Sequence, residues 1–333
     1  VIRNIIQTGL ERCYDLHGNE IPCFEAEQDA SFHIGYPWPD PRFSILDGDL
    51  VRDELTGLIW TRKANFFDFP ITWNQALDEV ETMNRESFAG YHDWRLPNRR
   101  EMRSILSHGH IKPALPSGHP FSDVFIGWYW TSTTSAMAPA HAWYVHLEGA
   151  RMFYGGKEQR YLTWPVRGQS RFIPRTGQKE CFDHQGQKIP CAGTGQDPET
   201  DRGQPWPYPR FSRQGNQVVD HLTDLIWYDP GGIQTESLNW KQALEIVQNM
   251  GQDYKWRLPN INELESLVDA SAHTPALPLN HPFTKLKDGY WSSTTSFFEP
   301  DWAYVLYLNK GAVGVGFKPG AEFYVCPVRS GDL

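Results

Sequence analysis

The chain repeats itself, and the repeat limits what it can fold into more than any other feature does. Thr8-Gly9-Leu10-Glu11-Arg12-Cys13 is answered by Thr176-Gly177-Gln178-Lys179-Glu180-Cys181, and Ile21-Pro22-Cys23 by Ile189-Pro190-Cys191. Trp38-Pro39-Asp40-Pro41-Arg42-Phe43 then returns as Trp206-Pro207-Tyr208-Pro209-Arg210-Phe211. Leu58-Ile59-Trp60 pairs with Leu225-Ile226-Trp227, and Trp94-Arg95-Leu96-Pro97-Asn98 with Trp256-Arg257-Leu258-Pro259-Asn260. His119-Pro120-Phe121 corresponds to His281-Pro282-Phe283, and Trp130-Thr131-Ser132-Thr133-Thr134-Ser135 to Trp291-Ser292-Ser293-Thr294-Thr295-Ser296. Pro165-Val166-Arg167 closes the series against Pro327-Val328-Arg329. The order never changes, so the chain reads as one domain written twice, 1–170 and 171–333. At 333 residues, each copy is long enough to bury its own core.

Charge narrows the partners. A net charge of −9 disfavours nucleic acid and anionic membranes as bulk electrostatic partners. No apolar run reaches the ~18 residues of a membrane span. The start, Val1-Ile2-Arg3-Asn4, has neither an initiator Met nor the apolar core of a signal peptide, as in a mature protein or at an expression boundary. Aromatic residues make up 14% of the chain, with 14 Trp, enough to fill cores between short strands and still present some rings to a ligand.

Of five cysteines, four form the duplicated pairs Cys13/Cys23 and Cys181/Cys191. Each pair brackets a turn, His17-Gly18-Asn19 or Gln185-Gly186-Gln187, flanked by residues that suit extended chain. A hairpin closed by a disulfide is the expected result, contributing on the order of 2–3 kcal/mol. The rival reading is a metal site using Cys13 with His17, or Cys181 with His184. Its spacing differs between copies, and no CxxC occurs. Disulfides would place the chain outside the cytoplasm. Cys326 is left over, stands where the other copy has Trp164, and is most simply a small buried hydrophobe.

Each copy shows two helices. Thr72 and Gln75 form a capping box ahead of Trp73, Ala76, Leu77, Val80 and Met83 at helical spacing. Asn239 and Gln242 repeat it ahead of Trp240, Ala243, Leu244 and Val247. Asn98 with Glu101, and Asn260 with Glu263, open the second helix of each copy after a proline. Aromatic and β-branched runs follow at Trp128–Thr133, Ala142–Leu147 and Tyr161–Val166, and at their counterparts. Gly149-Ala150 and Gly311-Ala312 mark hairpin turns. The fold class is therefore α+β, with two helices and short antiparallel strands per copy.

The set Thr56-Gly57-Leu58-Ile59-Trp60, Trp73-Asn74-Gln75-Ala76-Leu77, Asp93-Trp94-Arg95-Leu96-Pro97, Glu101, Trp130-Thr131-Ser132-Thr133-Thr134 and Val166-Arg167 resembles the Lcl C-terminal domain family. Copy two departs from it at Asp224, in place of Gly57, and at Lys255, in place of Asp93. The resemblance implies two tandem domains similar to the C-type-lectin-like superfamily, which also includes formylglycine-generating enzymes. It further implies the setting of a surface adhesin that binds polysaccharide and oligomerises. The family offers no agreed catalytic residues to carry over.

On the fold analogy, ligand contact falls to the loops around the late strands: 136–143 and 151–160 in copy one, 297–304 and 313–320 in copy two. His141, Trp143, Tyr154, Asp301, Trp302 and Phe317 are the candidate contact residues, with Trp143, Tyr154, Trp302 and Phe317 expected to be exposed. Asp197, Glu199 and Asp201, followed by Gly203, supply hard oxygens spaced by two, a candidate Ca²⁺ loop in copy two. Copy one keeps Asp29 but has Ser31 and His33 opposite the other two, so it should bind worse. A solvated acidic loop competes with this reading, and no cofactor is required for the fold. Arg95 and Arg257 read as fixed structural guanidinium groups, each bonding carbonyls and a carboxylate such as Asp53 or Asp220.

These features describe a non-catalytic secreted, cell-surface or periplasmic module that binds glycan or protein, or builds a homo-oligomer, filament or larger surface complex. The enzyme alternative, an oxidase of formylglycine-generating type, needs a reactive cysteine pair, and only Cys326 remains.

Overall fold

The computed structural model describes residues 3–233, 236–250, 255–320 and 322–331. The chain divides into two compact units, and their boundary is not the one between the repeats. One unit is contiguous, Trp38–Pro205; the other is split, Val1–Pro37 together with Trp206–Leu333. The sequence division at 170 separates copies of a pattern. In the structure, the first 35 or so residues of each repeat fold onto the body of the other repeat.

In the contiguous unit, strands Phe43–Ile45, Leu50–Asp53 and Ile59–Thr61 form an antiparallel meander, completed by Val166–Arg167 beside Ile59–Thr61. These first strands were not expected from the sequence, because each is too short to show a period of two. The long helix Trp73–Arg85 follows. Thr72 and Gln75 close its capping box, and Trp73, Ala76, Leu77, Val80 and Met83 are all buried. Asn98 and Glu101 cap the short helix Arg99–Ser104 in the same way. Three antiparallel strands come next: Trp128–Thr134, His141–His146 and Met152–Gly156.

The body of the split unit repeats the plan. Strands Phe211–Gln214, Gln217–Asp220 and Leu225–Tyr228 pair with Val328–Ser330, and the capped helices are Trp240–Gln248 and Ile261–Ser266. Strands Gly289–Thr295, Trp302–Tyr307 and Ala312–Phe317 then form the late meander. Its core gathers Val218, Leu225, Trp227, Leu264, Tyr290 and Cys326, and Ile5 from the N-terminal segment enters the same cluster.

Both Cys–Cys hairpins form as expected. Cys13–Cys23 and Cys181–Cys191 are disulfides, Cys13–Tyr14 pairs with Glu20–Ile21, and Cys181–Phe182 pairs with Lys188–Ile189. Asp15 and Asp183 set the turns by accepting from the amides two and four residues on, at 2.8–2.9 Å. Cys326 is free and buried, and burial pushes its thiol pKa up.

Most of the repeated motifs hold this frame together. Arg95 makes a bidentate pair with Glu101 (2.6 and 2.7 Å), and Arg257 with Glu263 (2.6 Å twice). The expected partners, Asp53 and Asp220, are instead taken by Arg42 and Arg210, whose guanidinium groups also lie over Trp38 and Trp206. Glu101 and Glu263 are the better choice because each already caps a helix, so one buried carboxylate serves the backbone amide and the guanidinium together. The Trp130 and Trp291 indoles donate to Ile71 and Leu238 carbonyls, as core tryptophans with satisfied N–H groups do.

Candidate functional site

Each unit is a body that clasps a disulfide-closed segment, and the grip is built from the same side chains in both. In the contiguous unit, Lys157 is 1% exposed and lies over the Trp73 ring at 4.1 Å. Its ammonium donates to the Phe182 and Asp183 carbonyls at 3.0 and 3.1 Å. In the split unit, Lys318 is 0% exposed, lies 4.1 Å over Trp240 and donates to the Asp15 carbonyl at 3.1 Å. Burial pushes both lysines down to about 7, and nearby Asp183, or Asp15 and Asp301, keeps them from falling further. The sequence held a signal for this pair: both lysines directly follow the third late strand at matched places in the repeat.

The second grip is a buried carboxylate. Asp29 Oδ2 accepts from Thr8 at 2.7 Å and from Thr294 of the body at 2.8 Å. Asp197 Oδ2 accepts from Thr176 at 2.6 Å and from Thr133 of the body at 2.7 Å. Burial raises each of these pKa values to about 6, and the two hydroxyls and the neighbouring arginine limit the rise. The hairpin tips complete the clasp. Gly18 and Gly186 both have φ of +82°, and a Cβ there would meet Asp301 N at 2.9 Å or Ala140 N at 2.8 Å. Only glycine suits that backbone and that contact.

The three carboxylates expected around Ca²⁺ therefore point to separate tasks. Asp197 is buried with the two threonines. Glu199 accepts from the Gly193 and Gly195 amides, the latter at 2.6 Å. Asp201 pairs with Arg175 at 2.7 Å. Among the described residues, no three of His, Cys, Asp and Glu are grouped so as to hold a metal ion.

The ligand candidates also sort differently from expectation. Much of the supposed loops is strand: Met152–Gly156 lies inside 151–160, all but the first residue of Ala312–Phe317 lies inside 313–320, and His141 and Trp302 each begin a strand. Trp143, expected to be exposed, is 1% exposed, with the Arg99 guanidinium 4.0 Å over its ring. Strand position explains the error. Tyr144 lies opposite Trp130 and Val305 opposite Trp291, so Trp143 corresponds to Tyr304, also buried, while His141 corresponds to Trp302. His141 and Tyr154 remain together in the contiguous unit, half-buried, with ring centres 5.9 Å apart.

In the split unit, Trp302 and Phe317 face each other across paired strands, with ring centres 5.5 Å apart. Phe317 is 39% exposed and Trp302 is half-buried, with Asp301 next to it. This apolar surface stands on a rigid frame, because the Asp301 carbonyl accepts from the Lys318 amide at 2.9 Å. One further feature was not anticipated: a cavity of about 500 Å³ in the body of the split unit, with Glu236, Lys285, Lys287, Tyr290 and Tyr324 in its lining.

Comparison with known families gives the decisive observation: the profile of the Lcl C-terminal domain matches residues 49–167 and again 216–329. The chain belongs to the Lcl C-terminal domain family. The two matched stretches are the bodies, from the second strand of the early sheet to its closing strand, and both disulfide segments lie outside them. Comparison with curated proteins gives no match. In this Lcl-type chain, the repeated Ser/Thr motifs supply buried hydrogen bonds. Thr131 and Ser292 donate to strand carbonyls, Thr133 and Thr294 to the buried aspartates, and the whole run Thr131–Ser135 is 0% exposed.

Proposed function

We propose that this chain is a non-catalytic binding module that works outside the cytoplasm, needs no cofactor, and recognises glycan through the Asp301–Trp302–Phe317 surface of the split unit. The observation that carries this reading is the Trp302–Phe317 pair, partly exposed while most of the other tryptophans are deep in the core. A tilted aromatic pair offers a face for the apolar side of a sugar ring, and an adjacent carboxylate accepts from its hydroxyls. Two disulfides fit an oxidising compartment, and no helix among the described residues is long and apolar enough to cross a membrane.

The contiguous unit places His141 where the split unit has Trp302, and Gly156 opposite it where the split unit has Phe317. It therefore lacks the aromatic pair, and the two units carry different surfaces on one frame. A glycan array with the intact chain and with Trp302→Ala and Phe317→Ala tests the reading. Binding that both variants lose while their melting stays close to that of the parent supports it. Binding unchanged in both variants, or capture of protein but no glycan, overturns it.

A further inference from the structure

The split unit is held to its own N-terminal segment by non-covalent contacts alone. Val1–Pro37 is joined through the chain only to Trp38, which opens the other unit, and the body it clasps begins at Trp206. We propose that this segment is exchangeable, and that the body of one chain accepts the Val1–Pro37 segment of a second copy.

The segment is suited to docking as a preformed piece. Its disulfide hairpin, its short helix Asp29–Phe32 and the bridge between Ile6 and Tyr36 are internal to it. Its grip on the body is distributed. Ile5 enters the core, Asp29 meets Thr294, the hairpin carbonyls meet Lys318, and the Asn262 amide donates to the Ile6 carbonyl at 2.9 Å. An equivalent grip recurs in the contiguous unit, where the segment follows its body directly along the chain. The clasp is therefore one interface formed with two different connections, and connection is not what creates it.

The exit from the segment is stiff. Pro37, Pro39 and Pro41 fall within five residues, and the fixed φ of each limits the conformations open to the exit. The exchange is also directional. Leu10 packs with Phe297 in the split unit, whereas the matching Gln178 exchanges amide bonds with the Thr134 backbone at 2.9 and 2.6 Å in the contiguous one. The 38–170 body has Ala136 where the 206–331 body has Phe297, so Val1–Pro37, with Leu10 to pack, should select a 206–331 body. Passing the segment from chain to chain gives closed rings or open, head-to-tail strings. Within one chain the tether favours self-closure, so exchange should grow with concentration.

The test uses the full chain and two positions, one exposed and one partly buried, that meet across the clasp. Arg3 and Asp224 form an ion pair at 2.7 Å with side chains 62% and 27% exposed. Arg3→Cys and Asp224→Cys are made in separate chains, mixed, partially unfolded and refolded at rising concentration, then treated with a short bis-maleimide. The double variant in one chain checks that the reagent spans the site, and Arg3→Cys mixed with Arg52→Cys gives the background. Buried Cys326 should stay unlabelled. The expected result is a product of twice the chain mass from the Arg3/Asp224 mixture, above background and rising with concentration. A second measurement, native mass spectrometry of unmodified chains carrying two different tags, should find mixed species under the same conditions. Monomers at every concentration overturn the proposal, and so do oligomers that form without the Arg3/Asp224 product. Neither result bears on the glycan surface, which Trp302→Ala tests separately.

Discussion

On acidification from about pH 7 to about pH 4.5, one buried aspartate in each unit should add stability, opposite in sign to the carboxylates of ordinary acid denaturation. Asp29 and Asp197 have pKa values raised by burial from 3.8 to about 6. Between those values the folded state holds a proton that the unfolded chain has lost. The stability from each group is therefore fully present below about pH 4 and is lost as pH rises through about 6. Over the stated range, the gain on acidification is about 2 kcal/mol for each unit at ~1.4 kcal/mol per pKa unit, or about 5 °C in its melting temperature. Despite burial, hydrogen bonds and the Arg167 guanidinium hold Asp93 low, and Thr284 holds Asp229 low. Those groups pull the other way as the pH approaches the ordinary carboxylate value, and His119, His146 and His281, whose pKa values burial lowers, do so below about 6.5, so the aspartate's share is read as the difference between the parent and a variant without it. The buried lysines, pushed down to about 7, add stability only as pH rises above that point. Calorimetry across this range, on the parent and on Asp29→Asn, is the assay. Both threonines bond to one oxygen of Asp29, so the amide keeps their acceptor while removing the titration. The variant should flatten the acid limb of the split unit alone. A parent profile that falls steadily with acid and superimposes on that of Asp29→Asn would refute the argument.

Three further outcomes are expected. Alkylation of the native chain without reduction should leave all five cysteines unmodified, with Cys326 reacting only after denaturation, because two disulfides hold four and the fifth is buried with a raised pKa; peptide mapping reads this directly. Arg257→Ala should cost about 3 kcal/mol in a denaturant melt by leaving Glu263 charged and unpaired in the core, and Arg257→Met with Glu263→Leu should cost less. Trp143→Ala should cost about 3–5 kcal/mol as a core truncation, whereas Trp302→Ala should stay within about 1 kcal/mol and change binding instead; parallel melts separate the two.

The helices, the capping boxes and both disulfides were legible because each rests on local chemistry: a cap three residues from its partner, or two cysteines around a turn. The buried clasp was not. Asp197 carries the same local signature whether its carboxylate faces water, calcium or two threonine hydroxyls, one of them 64 residues away. Trp143 and Trp302 both stand near the late loops and were expected to be exposed, whereas strand register, which makes Trp143 the counterpart of buried Tyr304 and gives Trp302 the place of His141, decides which ring is buried. The boundary between units was hidden for a related reason. A repeat shows which residues descend from the same pattern, and the partner each segment chooses depends on contacts that no local window contains.

That choice of partner sets a timetable for the growing chain. Everything needed for the contiguous unit has been made once Pro205 is made, so it can complete its core while the rest is still being synthesised. The N-terminal piece is made before the contiguous unit and finishes after it, because the closing strand Val328–Ser330 of the body it joins lies well beyond Pro205 in the chain. Its two cysteines lie only ten positions apart and can bond at once, so it waits as a small, already oxidised knot. A ribosome that stalls after Pro205 would therefore release one finished unit with a loose, protease-sensitive leader, and the leader's survival time would report how long its body takes to arrive.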